Sequence, residues 1–148
     1  MSRSHRVDET GPRRLAREAA LQVLYALDAT NETSFEAIHR ALNAYWAHLE
    51  GPPEGRAYGD ELVRGVMAKR DELDAAVRSA NPNWRVERMA KVDRNVLRVA
   101  TLELVHLGVP SQVAIDEAIE LAKRFGTAES SAFVNGTLDK LARAHGKL

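Results

Sequence analysis

Glu103 is the carboxylate in this chain whose neighbours are wrong for a solvated group. It shares a helical face with Val92, Val96 and Val99, at steps of three and four. A bare buried carboxylate is costly, so this one must be paired or hydrogen-bonded. Two roles fit: a general acid or base, or a structural carboxylate held by an arginine or a helix N-terminus. No His, Cys or Ser stands at a spacing that completes a catalytic set, which favours the structural role. The five histidines are scattered, with no i, i+4 pair on any helix, so they offer no metal-ligand set. P-loop, GxGxxG and GxSxG patterns are absent. Asp116, Glu117 and Glu120 fall at a helix start, where the macrodipole accounts for them without chemistry. No catalytic residue, metal or cofactor is expected.

The residues suited to recognition stand near the start. Arg14, Arg17, Leu21 and Tyr25 follow one another at steps of three or four, and Arg13 stands four before Arg17. Guanidinium groups neutralise phosphates and an aromatic face stacks an unpaired base, so an exposed face of this kind suits single-stranded nucleic acid. The same residues also fit a solvated helix start whose Tyr25 belongs to the core; composition leaves both readings open. A second basic row, Lys91, Arg94 and Arg98 with Arg88 behind, lines the narrow polar side of an otherwise apolar helix. It reads either as a solvated face or as a strip where RNA or a partner docks.

These residues need helices to hold them, and the spacing supplies helices. Met1 to Gly11 is polar, without apolar periodicity, and reads as a mobile arm. Pro12 suits a first helical position and opens helix one, with Ala16, Ala20, Val23, Leu24 and Leu27 inward. Thr33 and Glu36 predict a capping box for helix two, whose buried stripe is Phe35, Ile38, Leu42, Tyr45 and Leu49; Tyr45 and Trp46 read as packing. Gly51-Pro52-Pro53 to Gly55 is a loop. Helix three spans about Ala57 to Ala80, with Tyr58, Leu62, Val66, Leu73 and Val77 inward, and Asn81-Pro82 stops it. Trp84 to Glu87 reads as a short helical turn. A helix apolar on nearly all sides, roughly Arg88 to Leu107, belongs inside a bundle. Gly108 and Pro110 end it, Ser111 is suited to cap the next helix, Gly126 ends that, and Thr127 is suited to cap the last, with Val134, Leu138 and Leu141 on one face. Asn135-Gly136 in mid-helix is read as close backbone packing against a neighbouring helix ahead of ligand contact.

The chain of 148 residues reads as one all-α domain, residues 1–148, divided into an arm (1–11), an N-terminal bundle (12–80) and a C-terminal bundle (84–148). Lys plus Arg equals Asp plus Glu at 21 each, so net charge is uninformative, but its distribution is not. Five arginines between Arg3 and Arg17 face Asp8 and Glu9, and five basic residues between Arg85 and Arg98 face Glu87 and Asp93. Without cysteine there is no disulfide framework or thiolate nucleophile. No apolar run approaches a membrane span and the start lacks the apolar core of a signal peptide, so a cytoplasmic protein is expected.

Four ordered segments, RRLAREAALQVLYALD, VDRNVLRVATLEL, VAIDEAIELAKRFG and FVNGTLDKL, resemble the NusB family of transcription antitermination factors across Arg13 to about Leu141. The resemblance implies a NusB-like fold of six to seven helices in two bundles packed roughly perpendicular. It implies binding of the single-stranded boxA RNA of ribosomal RNA leaders jointly with NusE, a small-subunit ribosomal protein, and assembly with NusA, NusG and RNA polymerase, without catalysis. By motif position it assigns RNA contact to Arg13, Arg14, Arg17 and Tyr25, and to Phe125, Glu129 and Phe133 around the FGTAESSAF turn. It assigns the NusE face to Asp93, Arg94 and Leu102. Where this chain has Leu15 the family commonly carries another basic residue; Arg3 and Arg6 would compensate. The resemblance also allows a homodimer that hides the arginine-rich face. Two alternatives are a NusB-like RNA-binding domain of a ribosomal RNA methyltransferase and a helical scaffold without RNA binding; no cofactor-binding domain follows Leu148, which speaks against the first. On this reading Arg17→Ala weakens RNA binding and leaves the fold intact.

Overall fold

A computed structural model describes residues 11–49 and 54–148. The expected mobile arm, with Arg3 and Arg6, and the Gly51-Pro52-Pro53 loop lie outside the described residues, apart from Gly11 at the arm's end and Glu54 and Gly55 at the loop's. Six α-helices and one 3-10 turn follow in order: α1 (Pro12–Thr30), α2 (Phe35–Ala47), α3 (Arg56–Ala80), the 3-10 turn Val86–Arg88, α4 (Lys91–Val105), α5 (Ser111–Phe125) and α6 (Ser130–Ala144). The described residues are all-α. None of their helices is long and apolar enough to cross a membrane. The chain divides into two compact units, the first ending at Met67 and the second starting at Ala68. The division falls inside α3, two residues before Lys69, whose backbone is non-helical (φ −116°, ψ 18°).

The first unit holds α1, α2 and the start of α3. Pro12 occupies the first turn of α1, where its missing N–H costs nothing. Asn31 ends the helix in the left-handed region (φ 56°), which asparagine tolerates. Ala16, Ala20, Val23, Leu24 and Leu27 are buried, as their spacing predicts. Helix α2 starts one residue later than the sequence suggests: Ser34, not Thr33, is the cap, its Oγ accepting from the Ala37 N–H at 3.1 Å. Phe35 is the first residue of the helix and Leu49 lies beyond its end, and both are exposed, at 70% and 43%, rather than part of the buried stripe. Ile38, Leu42 and Trp46 carry the buried face instead. Trp46 donates its Nε1–H to Asp60 on α3 at 2.9 Å, which satisfies the polar end of a buried indole.

Two glycines bring α3 onto α1. Gly55 has φ +78°, and a Cβ there would lie 2.2 Å from the Pro12 carbonyl oxygen. At Gly59 a Cβ would lie 2.9 Å from the Trp46 ring and 3.4 Å from the Ala16 carbonyl oxygen. At Gly55 the backbone leading into α3 therefore approaches α1 at a distance no side chain permits, and Gly59 makes room for the Trp46 ring.

In the second unit α4, α5 and α6 pack on one another. Ten consecutive residues of α4, Asn95 to Leu104, are buried, as expected for a helix apolar on nearly all sides. Glu103 is among them. The basic row on α4 does not survive as a surface. Arg98 turns inward and binds Asp74 of α3 in a two-pronged pair, Nε to Oδ1 at 2.8 Å and Nη2 to Oδ2 at 2.9 Å, while Nη1 donates to Asn95 Oδ1 at 3.1 Å. Arg94 donates to the Val86 and Glu87 carbonyls of the 3-10 turn. Only Lys91 and Arg88 of that row remain exposed.

The caps expected for the last two helices differ. Ser111 Oγ donates to the Lys147 carbonyl at 2.7 Å instead of capping α5, whose cap position is Pro110. Thr127 precedes α6 by three residues, and Ser130 closes the turn between them by accepting from the Thr127 N–H at 2.9 Å. Gly108, left-handed at φ +66°, follows α4 as its composition predicts. Gly136 corrects another expectation: it is exposed, and a Cβ there would meet nothing within 4 Å, so close packing does not explain it.

Candidate nucleic-acid interface

An α-helix turns about 100° per residue, so residues eleven apart return to nearly the same azimuth. Arg14 and Tyr25 are such a pair, and Glu18 and Gln22 fall between them on the same side. Tyr25 is 44% exposed, Gln22 exposed, and Arg14 and Glu18 half-buried. Gln22 Nε2 lies 3.4 Å from the Tyr45 hydroxyl, tying this side to α2. The outward side of α1 thus runs from a guanidinium to a phenol about 16 Å along the axis.

Arg17 and Leu21 do not belong to it. They are 1% and 2% exposed, which corrects the placement of Arg14, Arg17, Leu21 and Tyr25 on one exposed face. Steps of three and four keep these four residues within about 80° of azimuth, so helical phase alone does not separate them; what covers Arg17 is α3, whose Tyr58 ring lies against it. There the Tyr58 ring receives two guanidinium groups, Arg13 at 4.3 Å from its centroid and Arg17 at 5.9 Å. Tyr58 sits three residues after Gly55, so the glycine approach that brings α3 onto α1 also delivers the ring. The arginine-rich start therefore splits: Arg14 looks outward, Arg13 leans on Tyr58 from a half-buried position, and Arg17 is interior. Leu15 is 49% exposed, an apolar residue held in water at the first turn.

The second unit presents the turn between α5 and α6. Gly126 ends α5 in extended backbone, and a Cβ there would lie 2.4 Å from Ser130 Oγ, so this turn requires glycine. Glu129 is exposed and accepts from the Thr127 hydroxyl at 3.2 Å. Phe125 is half-buried with the Arg124 guanidinium 5.3 Å from its centroid. Phe133 lies one turn into α6, also half-buried, and Trp84 meets its ring edge-to-face at 5.4 Å and 70°.

The three residues assigned to the partner face are unlike one another. Asp93 and Arg94 are half-buried near the start of α4, and Arg94 is committed to the 3-10 turn. Leu102 is 1% exposed and presents nothing to a partner in this structure.

Sequence reasoning passed over Tyr58 as a core residue and Trp84 as part of a turn. The signals were there: Tyr58 follows a glycine at helical spacing, and Trp84 stands between Asn81-Pro82-Asn83 and two arginines. Among the described residues no group of three or more His, Asp or Glu side chains comes together as a metal site.

The geometry is that of an all-helical chain whose two units each offer basic and aromatic side chains to solvent. The NusB family model matches residues 14–143, and the chain belongs to that family. It is 49% identical over 139 residues to the transcription antitermination protein NusB of Sorangium cellulosum, covering 93% of this chain and 96% of that one. Among solved structures it is similar to T. maritima NusB, with a TM-score of 0.78 and 33% identity over 88% of this chain and 90% of the other. It is also similar to a chain from the crystal structure of antitermination factors NusB and NusE in complex with double-stranded RNA, with a TM-score of 0.76 and 25% identity over 91% and 98%.

Proposed function

We propose that this chain is a transcription antitermination factor that acts in the cytoplasm as a non-catalytic adaptor, binding the single-stranded boxA RNA of ribosomal RNA leaders together with NusE. The family match over residues 14–143 carries the reading, and the relative solved with NusE and RNA supports its two partners. On the first unit Arg14 supplies a phosphate contact and Tyr25 a stacking ring, with Arg13 held against Tyr58 at the arginine end. Arg17 acts on RNA through Tyr58 and the α1–α3 contact, as a positioning residue. On the second unit Phe125 and Phe133 offer ring faces, and Glu129 accepts hydrogen bonds from base edges or sugar hydroxyls. Asp93 and Arg94 mark the end of α4 that meets NusE; the buried Leu102 shapes that face from beneath. NusA, NusG and RNA polymerase are the further members of the assembly.

The affinity of a labelled boxA oligonucleotide, compared with a scrambled one, with and without NusE, tests the reading. Preference for boxA that strengthens with NusE supports it. Equal and weak binding of both RNAs, unmoved by NusE, overturns it. A homodimer that hides the outward side of α1 would show as RNA affinity that falls as protein concentration rises.

A further inference from the structure

Trp84 is the largest side chain left half in water in the second unit, at 52% exposure. It is fixed rather than loose. Its N–H donates to the Asn81 carbonyl at 3.1 Å, and the Asn81 side chain is anchored on α6 by donating to Thr137 Oγ1 at 2.9 Å. Its ring packs edge-to-face on Phe133 of the same helix. Two basic residues bracket the turn that follows: the Arg88 N–H donates to the Arg85 carbonyl at 3.0 Å, and both side chains are exposed. Arg85 is the extended residue that caps the turn (φ −81°, ψ 130°) and Arg88 is its last residue, so the two exposed cations flank it. Glu87 is the exposed acid between them.

We propose that Trp84, braced by Phe133, is a base-stacking platform, with Arg85 and Arg88 as its phosphate contacts. Its occupant is a nucleotide of single-stranded RNA. Packed on Phe133 and still 52% exposed, the indole leaves ring surface open to a base, and stacking tolerates any base because each has a π face. Two exposed cations in the turn that follows an exposed indole match a phosphodiester strand, whose phosphates they neutralise while a base stacks on the ring. This site deepens the proposed function and rests on it. It gives the second unit its own grip on RNA.

The protein carries only two tryptophans, and Trp46 is 4% exposed, so Trp84 is the indole that reports contact. The full chain is titrated with a 12-nucleotide boxA RNA, with and without NusE, following RNA anisotropy in both and tryptophan emission in the titration without NusE. The wild type is expected to bind with quenching of emission. Trp84→Leu is expected to weaken binding by about 5- to 150-fold, the range that loss of one stacked base gives. Arg85→Ala with Arg88→Ala is expected to lower the slope of log K against log salt by about 1.4, at roughly 0.7 per phosphate on a single strand. Circular dichroism melting of each variant verifies that it folds. Wild-type binding that neither variant alters, with unquenched emission, overturns the platform and leaves the proposed function standing. No binding of boxA RNA by the wild type, even with NusE present, overturns both.

Discussion

Replacing Arg17 should injure the fold before it injures recognition. The side chain is 1% exposed, and its guanidinium lies 5.9 Å from the Tyr58 centroid. Truncation to alanine removes two buried methylenes, at about 0.8 kcal/mol each. It also removes a cation–π contact at the far limit of its range, about 0.5 kcal/mol. Arg17→Ala is therefore expected to lose about 2 kcal/mol, a fall in melting midpoint of about 4–8 °C for a chain of this size. Arg17→Met keeps the methylenes and loses the charge, so it should recover most of that stability. Urea denaturation followed by circular dichroism, on wild type, Arg17→Ala, Arg17→Met and Arg14→Ala, separates the effects. Arg14→Ala, on the outward side, should stay within about 0.5 kcal/mol of wild type. If Arg17→Ala instead keeps the wild-type midpoint while RNA affinity drops, the side chain works in solvent and its interior placement is wrong.

The remaining predictions follow from single contacts. Asp74→Ala strands the Arg98 guanidinium, 7% exposed, and should cost about 3 kcal/mol in denaturant titrations, whereas replacing both partners with apolar residues should cost much less. Gly136→Ala fills open space on an exposed helix and should stabilise by about 0.8–1 kcal/mol, read as a raised melting midpoint. Tyr25→Ala, at 44% exposure, should leave the midpoint nearly unchanged and weaken boxA binding by about 1–3 kcal/mol in anisotropy titrations.

The helices were legible because apolar spacing is redundant: losing one position, as at Phe35, does not erase the period that Ile38, Leu42 and Trp46 maintain. Turn chemistry was legible where glycine carried it, at Gly108 and Gly126, because a backbone requirement does not depend on distant neighbours. It failed at Thr33, Ser111 and Thr127, where a competing serine or carbonyl took the hydroxyl's place. Charges were the hardest to read. Arg98 and Arg17 look like surface residues in sequence and are interior in structure, because Asp74 and Tyr58 lie 24 and 41 positions away. A guanidinium goes inside wherever such a partner waits, and local pattern does not reveal the partner. The same blindness hid Trp84, whose bracing ring belongs to a helix 49 positions later.

Amide chemical shifts of the isotope-labelled protein, recorded as boxA RNA is added, test the central claim most directly. Shifts are expected along the outward side of α1 at Arg14, Glu18, Gln22 and Tyr25, and around Phe125 to Phe133, with α1 positions facing α3 responding less. Shifts that avoid α1 and gather elsewhere, or no shifts at saturating RNA, would contradict it.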